Sequence, residues 1–368
     1  MRVQARLFLA AALVLGAAHC SLLNPLDHLQ AGFGRDGAGD ASGEDAPAAN
    51  GEGGGPIDGA GGPDADNAPG CGPARWAECG VSITATPAHL GYAVMGLGDT
   101  TIYVSDETSG EISSLQCTAS GCAAPSVRVT GEDQPRELTF VSDSLLWTTR
   151  TAVRRLRVIG ADAATTETID SLTGTSHITS RYPNAMWTDQ SGARGWALTG
   201  PVLTFWNKPA SSPSLGSDAF FISENEVKQC TFGPTGTSCP GGVLAFPDSG
   251  GATAVAYTVL FTDFMHLQAI AAAVANGTGS RLVLLDRTDD AGARIVLGDD
   301  PSAVRAFAAL GPDLFWTNAA GELRRVSSNA ATPMTIVHGL SGDTSIDVSS
   351  AYVLIADRGR GQLLRYAR

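Results

Sequence analysis

Two apolar residues, a small or hydroxyl residue and a polar residue recur as a four-letter pattern seven times along the chain, at a spacing near 40 residues. Short runs rich in Val, Ile, Leu, Thr and aromatics, broken by Gly, Asp, Ser and Pro, surround each occurrence. These two observations predict an all-β fold, a seven-bladed β-propeller of four-stranded antiparallel blades, with six blades as the alternative count.

The occurrences are YVSD from Tyr103, LWTT from Leu146, MWTD from Met186, FISE from Phe221, LFTD from Leu260, FWTN from Phe315 and LIAD from Leu354, at intervals of 43, 40, 35, 39, 55 and 39 residues. In the unit at 315, residues 303–310 read as an inner strand, DLFWTN as the second, 321–328 as the third and 333–339 as the outermost. The unit at 103 has the same order: GYAVMGLG, TTIYVSD, EISSLQC and APSVRVTG. In the long fifth interval LVLLD (282–286) fits a third strand. The Ala-rich text FMHLQAIAAAVANGTGS before it predicts an inserted helix ending at Asn276-Gly277, either packed on the blade or serving as a lid with His266.

The last unit holds only three strands, and GVSITATP (80–87) precedes the first inner strand with no other place to go. Pairing it as the outer strand of the final blade would close the ring and protect the edges that an open sheet exposes.

The N-terminus is organised differently. Arg2 and Arg6 precede an apolar run, 7–18, that is too short to span a bilayer, which predicts a signal peptide over 1–20. Residues 21–70 carry nine acids against one base, Arg35, and 13 Gly, so they predict a disordered acidic linker. At about 5–6 Å × √n such a linker would span roughly 40 Å. The propeller is assigned to 71–368. The formal charge of −13 argues against nucleic-acid binding, which needs a basic patch.

Apart from Cys20, the cysteines form three close pairs: Cys71 with Cys79, Cys117 with Cys122, Cys230 with Cys239. The last two pairs bracket the turn between third and fourth strands in two repeats, which favours local disulfides and an oxidising compartment.

Several resemblances add to this reading. The run AAHC, 17–20, resembles a bacterial lipobox, with Ala17 in place of the usual Leu and His19 in place of a small residue; it implies acylation of Cys20. Ordinary cleavage at another small residue is the alternative. Ser21 after the Cys is similar to outer-membrane lipoproteins, with a periplasmic or surface-facing domain. MWTD, LFTD and FWTN resemble the YWTD repeat of low-density-lipoprotein-receptor-type propellers and, more loosely, NHL repeats, across roughly 80–368. The whole text also resembles Gram-negative envelope lipoproteins that join a signal, a Gly/Asp-rich spacer and a propeller. That likeness implies extracytoplasmic binding or scaffolding: a monomer held to the membrane by lipid and recognising protein, peptide or glycan.

No chemistry is marked by motif: G-x-S-x-G, H-E-x-x-H, Walker and dinucleotide fingerprints are absent from the sequence. A metal-dependent propeller hydrolase or lactonase is the alternative reading, built from residues converging across blades. The fourth motif position would place Asp106, Thr149, Asp189, Glu224, Asp263, Asn318 and Asp357 on one rim, as a site for Ca²⁺ or a basic partner or, more simply, as turn caps. No cofactor is otherwise expected. Trp147, Trp187 and Trp316 are expected to pack between blades, Trp196 and Trp206 to pack in the core or offer surface aromatics, and Arg154, Arg155 and Arg157 to mark a solvated strand.

Overall fold

The computed structural model describes residues 81–368 apart from 84–88, 120, 160–164, 198–199, 216–217, 225, 234–235, 240–242, 245–253, 262–266, 287–293 and 328–331. Cys20, the acidic stretch, Cys71, Cys79, Asp263 and His266 lie outside the described residues.

Seven antiparallel sheets form the blades of a propeller. Blade 1 runs outward from Leu90–Met95 through Thr101–Asp106 and Glu111–Thr118 to Ser126–Val129. Blade 6 repeats the order with Val304–Leu310, Asp313–Asn318, Leu323–Ser327 and Met334–Val337. The inner strands of blades 2, 3 and 4 are Leu138–Val141, His177–Arg181 and Ser211–Leu215. Blade 7 contributes Thr344–Val348, Tyr352–Asp357 and Gln362–Ala367, and its fourth strand is Val81–Ile83, with Ser82 opposite Leu364. The ring closes as the unplaced N-terminal strand predicts.

Second strands are buried on both faces, which is why they carry the apolar motif letters. Their side chains build a core that steps around the ring. Trp147 joins blade 1 residues Val94 and Ile112, Trp187 meets Leu146 and Val153 of blade 2, and Trp316 meets Ala273 and Leu297 of blade 5. Leu354 and Leu363 of blade 7 pack with Ile102 and Leu115 of blade 1, so the apolar layer is continuous through the closure. Disulfides Cys117–Cys122 and Cys230–Cys239 form within blades 1 and 4, at the turns the sequence indicates.

A polar clamp repeats at three blade boundaries. The indole nitrogens of Trp147, Trp187 and Trp316 donate to Glu132, Asp170 and Asp300, acids at or just beyond the outer strand of the preceding blade, at 3.1, 2.9 and 2.6 Å. Directly across from each Trp stands an arginine, Arg154, Arg194 or Arg324. Each arginine pairs with the same acid, at 3.1, 3.1 and 3.2 Å. Burial makes such bonds matter, since an unpaired indole N–H or guanidinium would be left without solvent.

Blade 5 corrects two expectations. Leu260 and Phe261 of LFTD end its inner strand, Ala254–Phe261, instead of lying on the second. The second strand is Leu267–Asn276, inside the text expected to be helical. Ala271, Ala272 and Ala273 are fully enclosed there. A strand enclosed on both faces reads as an unbroken apolar run, which periodicity cannot separate from a buried helix. Asn276-Gly277 begins the hairpin turn into Gly279–Asp286, the strand that contains LVLLD, with Gly277 at φ +62°.

The arginine run is also corrected. Arg157 is exposed, but Arg155 is buried: it donates to the Ser144 hydroxyl at 2.9 Å, pairs with Glu167 at 2.8 Å and stacks over Trp196 of blade 3. Trp196 is itself buried, whereas Trp206 is half-buried between Lys208 and Lys228.

Candidate ligand site in the central channel

Inner strands turn one face to the ring axis and enclose a channel cavity of about 1120 Å³. Its wall mixes hydroxyls with apolar side chains; Thr139 and Ser180, for example, hydrogen-bond across blades 2 and 3 at 2.7 Å. Because every inner strand runs in the same direction, the strand starts gather at one mouth. Tyr92, Glu137, His177, Ser212, Arg305 and Thr344, one from each of six blades, line the channel near that end.

Glu137 ties two blades together. One carboxylate oxygen meets His177 Nδ1 at 2.7 Å and the other accepts the Ile178 amide at 2.9 Å. The Glu137 charge raises the His177 pKa above its usual value, against burial, which lowers it. With Nδ1 engaged, Nε2 is the imidazole nitrogen left to a ligand.

Tyr92 is positioned by its backbone. Its amide donates to the Ser105 hydroxyl at 2.9 Å, and a Cβ on the preceding Gly91 would lie 2.5 Å from that hydroxyl and 2.9 Å from the Ser105 carbonyl. Burial, with Glu137 adding to it, pushes the phenol up to about 12, so Tyr92 is a neutral hydrogen-bonding group at physiological pH. Arg358 stacks on its ring at 4.4 Å and pairs with Asp343.

At the other end, half-buried Asp347 accepts the Met95 amide at 2.8 Å and the Val348 amide at 3.0 Å, linking blade 7 to blade 1. Burial holds its carboxyl above the usual range.

The described motif-end residues do not line the cavity and are engaged by their own turns and by neighbouring loops. Asp106 accepts the amides of Thr108 and Ser109, each at 2.9 Å, and that of His89 at 3.3 Å. Asp189 takes the Ser191, Gly192 and Thr173 amides and pairs with Arg194 at 2.6 Å. Asn318 bonds Glu322 and Asp300, Asp357 bonds Ser341, and the Thr149 hydroxyl accepts the Thr151 and Ala152 amides. Glu224 is exposed and pairs with Lys208 at 2.7 Å.

Tyr92, Glu137, His177 and Arg305 were not singled out by sequence. The motif marks second strands, while the channel is lined by first strands, which carry no repeated letter. A polar residue at or near the start of the inner strand in six of the blades is the available signal. Among the described residues no three His, Cys, Asp or Glu side chains group to hold a metal ion, and no helix is long and apolar enough to cross a membrane.

No family model matches the chain, and no curated protein matches it. Solved structures resemble it in fold. U3-55K superposes with a TM-score of 0.59 at 10% identity, covering 79% of this chain and 99% of that one. PorZ of Porphyromonas gingivalis gives 0.55 at 12% identity, covering 77% of this chain and 37% of its own. AztD of Citrobacter koseri gives 0.50 at 12% identity, covering 76% and 83%. At these identities the likeness is one of architecture, and it is to the β-propeller.

Proposed function

We infer that the chain is an exported binding protein, anchored by lipid on Cys20 at the outer membrane, whose propeller recognises a protein, peptide or glycan at the channel mouth. The observation that carries this reading is the mouth itself, an open cavity where six blades each present a different polar side chain. Such convergence of few polar groups on a concave wall suits ligand recognition. The two disulfides fit an oxidising compartment, and residues 21–70 have the composition of a tether.

Two measurements on the full chain test it. Cells fed labelled palmitate should label the wild-type protein and not Cys20→Ser; equal labelling would remove the anchor. Photo-crosslinking from position 212 or 344 in intact cells should yield a discrete adduct. A smear identical to that from the outer-face position 127 would remove mouth recognition.

A further inference from the structure

Four inner strands carry one extra residue near the same channel end. Pairing with the second strand slips by one residue between Leu90 and Ala93, Ser211 and Ser214, Ala254 and Ala256, and Val304 and Ala306. A bulge of this kind breaks the alternation of the strand and re-aims a side chain. In blade 6 the extra residue is Arg305.

Arg305 lines both the channel and a side bay of about 520 Å³ between blades 6 and 7, with Ser341, Gly342, Asp343, Thr344 and Arg358. Among the described residues the bay is lined by two guanidinium groups, Arg305 and Arg358, and one carboxylate, Asp343. Asp343 pairs with Arg358, which also has Glu107 at 3.8 Å. Arg305 is exposed and makes no ion pair among the described residues. Of the two guanidinium groups, Arg358 is engaged by Asp343 and Glu107, and Arg305 is the one that faces the bay without an ionic partner among the described residues.

We propose that this bay seats the oxoanion group, carboxylate or phosphate, of a ligand entering the channel, with Arg305 as its forked donor. The proposal rests on reading the propeller as a binding protein. A guanidinium matches either oxoanion through two parallel N–H bonds, and its charge makes those bonds stronger than neutral ones. At about 520 Å³ the bay is larger than a bare oxoanion and leaves room for the rest of a ligand that carries one. The bulge supplies the reason Arg305 is there: in regular register the side chain would follow the strand's alternation.

The test titrates the full-length protein with inorganic phosphate and, separately, with acetate at low ionic strength, following amide shifts by NMR. Wild type is compared with Arg305→Gln, Arg305→Lys and the surface control Arg150→Gln, with circular dichroism checking the fold of each. At least one anion should bind the wild type and the Arg150 variant equally, lose affinity about tenfold in Arg305→Gln and be partly restored in Arg305→Lys. Whichever anion shows this pattern identifies the head group. Binding of neither anion, or affinities within about twofold between wild type and Arg305→Gln, would overturn the proposal. Crosslinking separates the two ideas. A partner captured equally by wild type and Arg305→Gln leaves the binding reading intact while the bay fails; Arg305-dependent anion binding with no captured partner does the reverse.

Discussion

The indole nitrogen of Trp187 and the carboxylate of Asp170 meet at 2.9 Å across the boundary between blades 3 and 2, and Arg194, directly opposite Trp187, pairs with the same oxygen. The same trio joins blade 1 to 2 and blade 5 to 6. In sequence it is half visible: an arginine follows the motif tryptophan after seven, seven and eight residues. The acid belongs to the preceding blade, so only the ring brings it in.

Asp300 is the most enclosed of these acids and receives Trp316, Asn318 and Arg324 together. Asp300→Ala should destabilise the protein by about 3–5 kcal/mol, because it strands a guanidinium and an indole N–H away from water. Urea unfolding measures this; a loss below about 1 kcal/mol would mean that the clamp is not a stabilising element.

The Glu137–His177 pair gives stability a defined pH dependence. The folded-state pKa of His177 is raised above 6.5, so the pair's contribution is complete below about 6.5 and fades as pH rises through the raised value. Wild type should exceed His177→Gln most clearly near pH 5.5, by about 1 kcal/mol or less given partial exposure, and the two should converge in alkaline solution. Thermal unfolding across pH reads this directly; a gap that widened with pH would contradict it.

Cys230–Cys239 closes a loop with a sequence separation of nine in blade 4, and Cys230 is fully buried. Replacing both by alanine should lower stability by roughly 2–3 kcal/mol through the chain entropy released on unfolding. Denaturant titration should show the loss for the double variant, and treatment of the wild type with a reductant should lower its midpoint too. An unchanged midpoint in both would remove the stabilising role.

Ring closure depends on a three-residue strand. Ile83 is buried with Leu354 and Leu363 of blade 7 and Leu115 of blade 1. Ile83→Ala should cost about 2–4 kcal/mol, and limited proteolysis should then cut first at the blade 7 edge. Cleavage starting in another blade would show that the closure is not the weak seam.

The architecture is legible in the residues alone. Repeated letters on the doubly buried second strands, turn residues between them, two disulfides at equivalent turns and a spare N-terminal strand set the propeller and its seventh blade, because those features are local and periodic. Blade 5 escaped this logic: Leu267–Asn276 is an alanine run whose enclosed state leaves no period to read. The channel mouth takes shape only when the blades pack in a ring. Tyr92, Glu137, His177 and Arg305 are far apart in the chain and share no letter. Glu137 and His177 meet because blades 2 and 3 pack side by side, while Tyr92 and Arg305 sit at bulges, each of which shifts a side chain by one residue without leaving a mark in the text.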